Sequence, residues 1–211
     1  MSGICGWINN AETLAEPALI AAMAQGLAGK VIDPASLCVS GGSALSAWSP
    51  HGNASIYKSM EDGLLVAFEG HPYWHSDALT KLAQAQGAAA AIANAYQHHG
   101  IKALQEIHGA FALAIIDQKK HQALLAVDRL GIRPLCYVQA ANQLVFGSTT
   151  DSVIAHPAVN ATIDPQAIFN YLFCHMVPSP GSIYAGVRKL LPGQYILFQE
   201  NRVSEAFYWA L

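Results

Sequence analysis

Apolar positions along this chain fall into short runs divided by turn residues. Gly3-Ile4-Cys5-Gly6-Trp7-Ile8 is apolar, punctuated by glycine and closed by Asn9-Asn10, which predicts a strand and then a turn. Leu19, Ile20, Met23 and Leu27 follow at helical spacing behind Pro17, a residue suited to a first helical turn. Strand-like runs come next at Leu37–Val39, Ala44–Trp48, Ala54–Tyr57 and Leu64–Phe68. Gly41-Gly42, Pro50-His51-Gly52-Asn53 and Asp62-Gly63 separate them, which is hairpin punctuation.

The middle of the chain reads as helix. Ser76 is placed to cap one helix, Ala88 to Tyr96 is rich in alanine, and Gly100 stops that run before a short helix over Lys102–Ile107. Strands return at Ala110–Asp117, Gln122–Val127, Leu135–Val138 and Gln143–Gly147. Short helices are predicted over Asp151–His156 and Asp164–Phe173, and a late strand over Gln194–Phe198. Strand groups and helix groups are segregated, so the fold class is α+β and not alternating α/β. Two antiparallel sheets stacked face to face, with helices outside, would bury both apolar faces.

Composition narrows the function classes. Of the 211 residues 53% are hydrophobic and 12% charged, about half the usual charged fraction, which excludes a disordered chain. So sparsely charged a surface suits a face that meets another domain. The net charge is −3 and all four arginines, Arg129, Arg133, Arg188 and Arg202, lie late in the chain, so nucleic acid is not the expected partner. Apolar runs are too short and broken to span a bilayer, and no signal peptide is visible, so no membrane partner and a cytoplasmic location are expected. Cys5, Cys38, Cys136 and Cys174 are far apart and read as buried hydrophobes.

Most candidate motifs have plain structural readings. His71 and His75 are four apart, but Pro72 argues against the helix that would let them share a metal, and no metal site is expected. His98-His99 suits the negative end of a helix dipole. Ser40-Gly41-Gly42-Ser43 is followed by a strand-like run, not by the helix a phosphate loop needs, and reads as a hairpin turn. The informative segment is the start, Met1-Ser2-Gly3. Removal of Met1 would leave Ser2 with a hydroxyl and a free α-amine, a nucleophile and a base on one residue. An α-amine of pKa about 8 suits a general base at neutral pH.

Met1-Ser2-Gly3-Ile4-Cys5-Gly6 resembles the Met-Cys-Gly-Ile-x-Gly start of class II glutamine amidotransferases, which are N-terminal-nucleophile hydrolases. His108-Gly109-Ala110-Phe111-Ala112-Leu113-Ala114-Ile115-Ile116-Asp117 is similar to a strand of the asparagine synthase branch. Asp128-Arg129-Leu130-Gly131-Ile132-Arg133-Pro134-Leu135-Cys136-Tyr137 is similar to its Asp-Arg-x-Gly-x-Lys/Arg-Pro-Leu-Tyr-Tyr stretch. Phe146-Gly147-Ser148, Val177-Pro178-Ser179-Pro180 and Gly186-Val187-Arg188-Lys189-Leu190-Leu191-Pro192-Gly193 continue the resemblance in order. It implies a four-layer αββα sandwich. It also implies an amidotransferase-like domain over 1–200 and, from 201 to 211, the start of a linker toward a synthetase domain. ATP and magnesium would belong to that synthetase domain, so no cofactor is expected in this chain. The synthetase domain, fused or separate, is the expected partner, and the number of copies, a dimer among the options, is left open.

The resemblance also makes the departures readable. Active members attack the glutamine amide with a cysteine thiolate, and Ser2 stands at that position. The family's Asn-Gly-Glu-Ile-Tyr-Asn loop is Glu69-Gly70-His71-Pro72-Tyr73-Trp74 here, so Glu69 and Gly70 occupy the oxyanion-hole position and Glu69 replaces a donor amide with a carboxylate. Loss of one oxyanion donor costs roughly a hundredfold or more in rate. No arginine precedes Arg129 to hold the substrate carboxylate, and the Gly-Ser-Asp-x-Glu segment appears as Gly87-Ala88-Ala89-Ala90-Ala91. Asp128, Arg129, Gly131 and Arg133 are assigned to scaffolding, the charged groups paired with one another or with backbone carbonyls. Arg129→Ala is then expected to lower the melting temperature by many degrees.

Three readings follow. The first is an amidotransferase-like domain of an asparagine-synthase-related protein that does not hydrolyse glutamine, as the resemblance implies for β-lactam synthetases and lasso-peptide cyclases. The second is an active N-terminal-nucleophile amidase or glutaminase using Ser2. The third is a packing module for a synthetase domain, which predicts an exposed apolar face.

Overall fold

In chain order the elements are β1 (Gly3–Asn9), α1 (Pro17–Ala28), β2 (Leu37–Ser40), β3 (Ser43–Trp48), β4 (Ala54–Ser59), β5 (Leu64–Tyr73), α2 (Asp77–Gln86) and α3 (Ala88–His99). A 3-10 turn over Gly100–Gln105 leads into β6 (His108–Asp117), β7 (Gln122–Val127), β8 (Cys136–Ala140) and β9 (Gln143–Gly147). The chain continues through α4 (Thr150–Ile154), α5 (Pro165–Cys174), β10 (Arg188–Lys189), β11 (Gln194–Gln199) and β12 (Arg202–Phe207). The structure is a computed structural model and describes residues 2–9, 14–28, 33, 36–59 and 61–210. Met1, Asn10 and Leu211, on which parts of the sequence reading fall, lie outside the described residues.

The strands form two six-stranded antiparallel sheets, ordered β10-β8-β9-β1-β3-β2 and β12-β11-β7-β6-β5-β4. Side chains alternate across each strand, and here both faces are buried. On β5, Leu65 and Ala67 point between the sheets, while Leu64, Val66 and Phe68 point at α3. On β6, Ala112, Ala114 and Ile116 join the inter-sheet core and Phe111, Leu113 and Ile115 the helical side. On β1, Ile4 and Ile8 face inward, and Cys5 and Trp7 pack with Ile20, Met23 and Leu27 of α1. This is the four-layer α+β sandwich, with α1 and α4 on one sheet and α3 on the other. It explains why the strands read as near-continuous apolar runs although they are antiparallel.

Local signals act as the sequence indicates. The Ser76 hydroxyl accepts the Leu79 amide at the start of α2. Asp164 accepts the Gln166 amide ahead of Pro165 in α5. Gly41 and Gly42 join β2 to β3, whose ends Ser40 and Ser43 pair.

Two expectations are corrected. The segment after residue 200 is not free linker: β12 pairs with β11 from Gln199↔Arg202 to Gln194↔Phe207. The Tyr208 hydroxyl then donates to the Val127 carbonyl at 2.8 Å, so the folded unit runs past 201. Arg202-Val203-Ser204-Glu205-Ala206-Phe207 lacks a clean alternation, because Glu205 shares the face of Val203 and accepts the Tyr137 hydroxyl and the Gln194 amide there. The second correction concerns the cysteines. Cys5, Cys38 and Cys136 are buried, and burial pushes the Cys5 thiol far up and the Cys136 thiol to about 11, so both are inert. Cys174 is exposed at the end of α5.

His156 gives a pH test of the core. It is buried edge-on against Trp7, its Nδ1 accepts the Ala158 amide at 3.2 Å, and burial pushes its pKa down to about 4. The unfolded chain takes up this proton near pH 6.5 and the folded chain only near 4. Stability from this residue is therefore fully present above about pH 6.5 and lost as the pH falls toward 4. His156→Gln is expected to lower stability at neutral pH but to flatten the fall in melting temperature over that window. Equal slopes for the two proteins would contradict this account.

Candidate functional site

The site lies where the two sheets meet at one end. Ser2 precedes β1 in one sheet, Glu69 ends the apolar run of β5 in the other, and Arg133 follows β7. A carboxylate inside Leu64-Leu65-Val66-Ala67-Phe68-Glu69 needs a partner, because a buried unpaired charge is costly. Glu69 is 2% exposed and meets two partners on one oxygen: Arg133 Nη1 stands 3.0 Å from Oε1, and the Ser2 hydroxyl donates to the same atom at 2.7 Å. The three residues border a cavity of about 590 Å³ that is also lined by His51, Asn53 and His71.

Arg133 is held by its turn. Both carboxylate oxygens of Asp128, a residue only 1% exposed, accept backbone amides. Oδ1 takes Leu130 and Ile132 at 3.0 and 3.1 Å, and Oδ2 takes Phe111 and Arg133 at 3.2 and 3.0 Å. Gly131 sits at φ +65°, where its amide returns to the Asp128 carbonyl at 3.0 Å and the Pro192 ring lies 3.1 Å from where a Cβ would be. The charged residues of this turn thus have separate partners. Asp128 serves the backbone, Arg133 serves Glu69, and Arg129 reaches the Gln105 carbonyl at 3.3 Å from the surface. Among the described residues Arg129 has no carboxylate partner, so the large loss expected for Arg129→Ala no longer follows.

Gly70 is required by close packing. Its φ is +139°, and a Cβ there would lie 2.1 Å from the Ala110 carbonyl oxygen. Its amide donates to the Asn53 carbonyl at 2.8 Å. The two residues expected at the oxyanion-hole position are thus a buried carboxylate, Glu69, and an amide, that of Gly70, already bonded to Asn53.

The other sequence candidates are placed elsewhere or stay apart. His71 meets the Asn53 side chain, with Nε2 3.3 Å from Nδ2, at the rim of the cavity. His75 lies against His108, with ring centroids 4.4 Å apart, away from His71. His98 bonds the Asn94 carbonyl and His99 pairs with Glu106. Among the described residues no group of three or more His, Cys, Asp or Glu side chains is arranged to hold a metal ion. Sequence reasoning missed the Glu69–Arg133 pair and the lining by His51 and Asn53. The lone acid in an apolar strand was the signal for the pair.

Comparison with known proteins agrees with this architecture. A family model described as "Glutamine amidotransferase domain" matches residues 1–209. A Bacillus subtilis protein named asparagine synthetase [glutamine-hydrolyzing] 3 is 27% identical over 107 residues, 50% of this chain and 17% of the relative. A Methanocaldococcus jannaschii protein named putative asparagine synthetase [glutamine-hydrolyzing] 2 is 30% identical over 120 residues, 55% of this chain and 23% of the relative. The match thus spans less than a quarter of these relatives' length. The solved glutamine phosphoribosylpyrophosphate amidotransferase from B. subtilis, in complex with ADP and GMP, superposes with a TM-score of 0.57. At 15% identity over 98% of this chain and 49% of that one, it shows the fold. With the family model covering nearly every residue and the two-sheet sandwich shared, the chain belongs to the class II glutamine amidotransferase family.

Proposed function

We propose that this domain is a glutamine-amidotransferase relative, associated with asparagine-synthetase-type chemistry, that does not itself hydrolyse glutamine. The observation that carries the reading is the buried Glu69 carboxylate, ion-paired with Arg133 and bonded to the Ser2 hydroxyl. Attack on an amide places negative charge on the carbonyl oxygen, which needs donors poised at that point. Glu69 instead brings a fixed negative charge there, and the Gly70 amide is already bonded to Asn53. The Ser2 hydroxyl bonded to the Glu69 carboxylate favours the second reading, an active N-terminal-nucleophile amidase using Ser2. That reading still lacks a donor for the oxyanion. Ser2→Cys separates the two. It supplies the family's nucleophile, yet it is expected to leave glutamine unhydrolysed, and an acylating probe is expected to leave Ser2 of the natural chain unlabelled. Glutaminase in Ser2→Cys, or stoichiometric labelling of Ser2, would overturn the proposal.

The domain's positive role in this proposal is to pack against a synthetase-type domain. Helix α5 supports it: Leu172 is 72% and Phe173 78% exposed, and Ile168, Phe169 and Tyr171 are also exposed. Only Ala167 of that helix is buried. An apolar patch of this kind marks an interaction surface. More than three quarters of each named asparagine synthetase relative lies outside the matched segment, which argues for that kind of domain as the occupant. Leu172→Glu with Phe173→Glu is expected to leave the melting temperature unchanged and to abolish co-elution with a co-expressed synthetase-type domain. Loss of a homodimer instead, with no such co-elution in the natural chain, would reassign the face to a second copy.

A further inference from the structure

A second cavity lies at the end of the β5–β6 pair, apart from Ser2, and what surrounds it is independent of the glutaminase question. It measures about 370 Å³ and is bordered by Tyr73, His108, Arg129, Leu130, Ile132 and Trp209. Tyr73 ends β5, His108 opens β6 and Arg129 follows β7, so three neighbouring strands bring them together. Tyr73 stacks on His108 with centroids 5.2 Å apart, and the ring of His75, two residues beyond Tyr73, lies against His108 at 4.4 Å.

Two imidazoles and a guanidinium therefore share one place. Burial, then the Arg129 guanidinium and His75, hold the His108 imidazole below its ordinary value. Asp128 also borders the cavity, but both its oxygens are committed to backbone amides. Among the described residues no carboxylate forms an ion pair with His75, His108 or Arg129. Arg129 uses one long bond to the Gln105 carbonyl, and its Nε has no hydrogen-bond partner. A guanidinium and a second imidazole beside His108 disfavour its protonation, and an incoming anion would relieve that repulsion. A guanidinium offers a planar fork to an oxyanion, and a phosphate monoester carries about −1.5 to −2 at pH 7, matching one guanidinium plus one imidazolium. Tyr73, Leu130, Ile132 and Trp209 offer apolar surface to whatever the phosphate is attached to.

We propose that this cavity binds a phosphate-bearing small molecule, its phosphate held by Arg129 and His108 with His75 supporting the His108 ring and its organic part resting on Tyr73 and Trp209. Binding favours protonated imidazole, so it strengthens as the pH falls below neutral toward about 6, where the phosphate begins to lose its second charge.

The test follows the imidazole C–H resonances of the whole chain during titration with phenyl phosphate, with benzoate and chloride at matched ionic strength as controls. Phenyl phosphate is expected to shift the His108 resonances and move their titration to higher pH. His75→Gln, at an exposed position, and His108→Gln are each expected to weaken binding by about fivefold or more, with melting temperatures confirming that both fold. Unshifted His108 resonances, variants that bind as tightly as the natural chain, or benzoate binding as well as phenyl phosphate would each overturn the proposal. None of these results depends on whether glutamine is hydrolysed.

Discussion

Asp128→Ala is expected to lower the melting temperature of this domain by about 10–15 °C. Its carboxylate accepts four backbone amides, from Phe111, Leu130, Ile132 and Arg133. A buried donor left without an acceptor costs about 1–3 kcal/mol. The Phe111 amide belongs to a strand buried on both faces and cannot turn to water. The amides of Leu130 and Ile132, at exposed residues, recover part of their loss. A total of about 4 kcal/mol corresponds to the shift stated for a chain of this size. Asp128→Asn should cost somewhat less, since it keeps one acceptor and turns a donor toward two of the four amides. Denaturant unfolding with an unchanged slope against denaturant would confirm a loss of stability and not of compactness. A loss under about 1 kcal/mol would mean that the turn is held by Gly131 and Pro192 and not by the carboxylate.

Arg133→Met is the second large effect, and its direction reports on the site. It leaves the Glu69 carboxylate, 2% exposed, with only the Ser2 hydroxyl. Removing one partner of a buried pair typically costs about 3–5 kcal/mol. Glu69→Gln is expected to cost less, because the Arg133 side chain is 28% exposed and can be hydrated once unpaired. The double variant should recover part of the Arg133→Met loss, giving a coupling of about 2 kcal/mol in the cycle. Additive losses would show that the two groups do not depend on one another, and the site would then lack its organising contact.

The fold was legible because its signals are local. Gly41-Gly42, the Ser76 cap, Pro17 and Gly100 each act within a few residues, and the apolar runs between them have lengths that admit one assignment. What escaped was decided at a distance. Arg202 to Phe207 became a strand because β11 offers a free edge, and nothing within that segment announces its neighbour. The turn from Asp128 to Arg133 reads as scaffolding with its charges paired to one another or to backbone carbonyls; Arg129 does meet a carbonyl, that of Gln105, but the Asp128 and Arg133 side chains do not pair with each other. A carboxylate beside two arginines looks like an ion pair in sequence, whereas the tight turn aims four amides into it and leaves Arg133 to reach a residue 64 positions earlier, Glu69. For the same reason the departures from the family pattern were visible residue by residue. Their combined geometry, one carboxylate oxygen shared by Ser2 and Arg133, was not.

The most direct test of the central claim is glutamate release from glutamine by the purified 211-residue chain, followed across substrate concentration beside Ser2→Ala. The account predicts release no faster than the spontaneous background and identical for the two proteins. Saturable release by the natural chain that Ser2→Ala abolishes would contradict it.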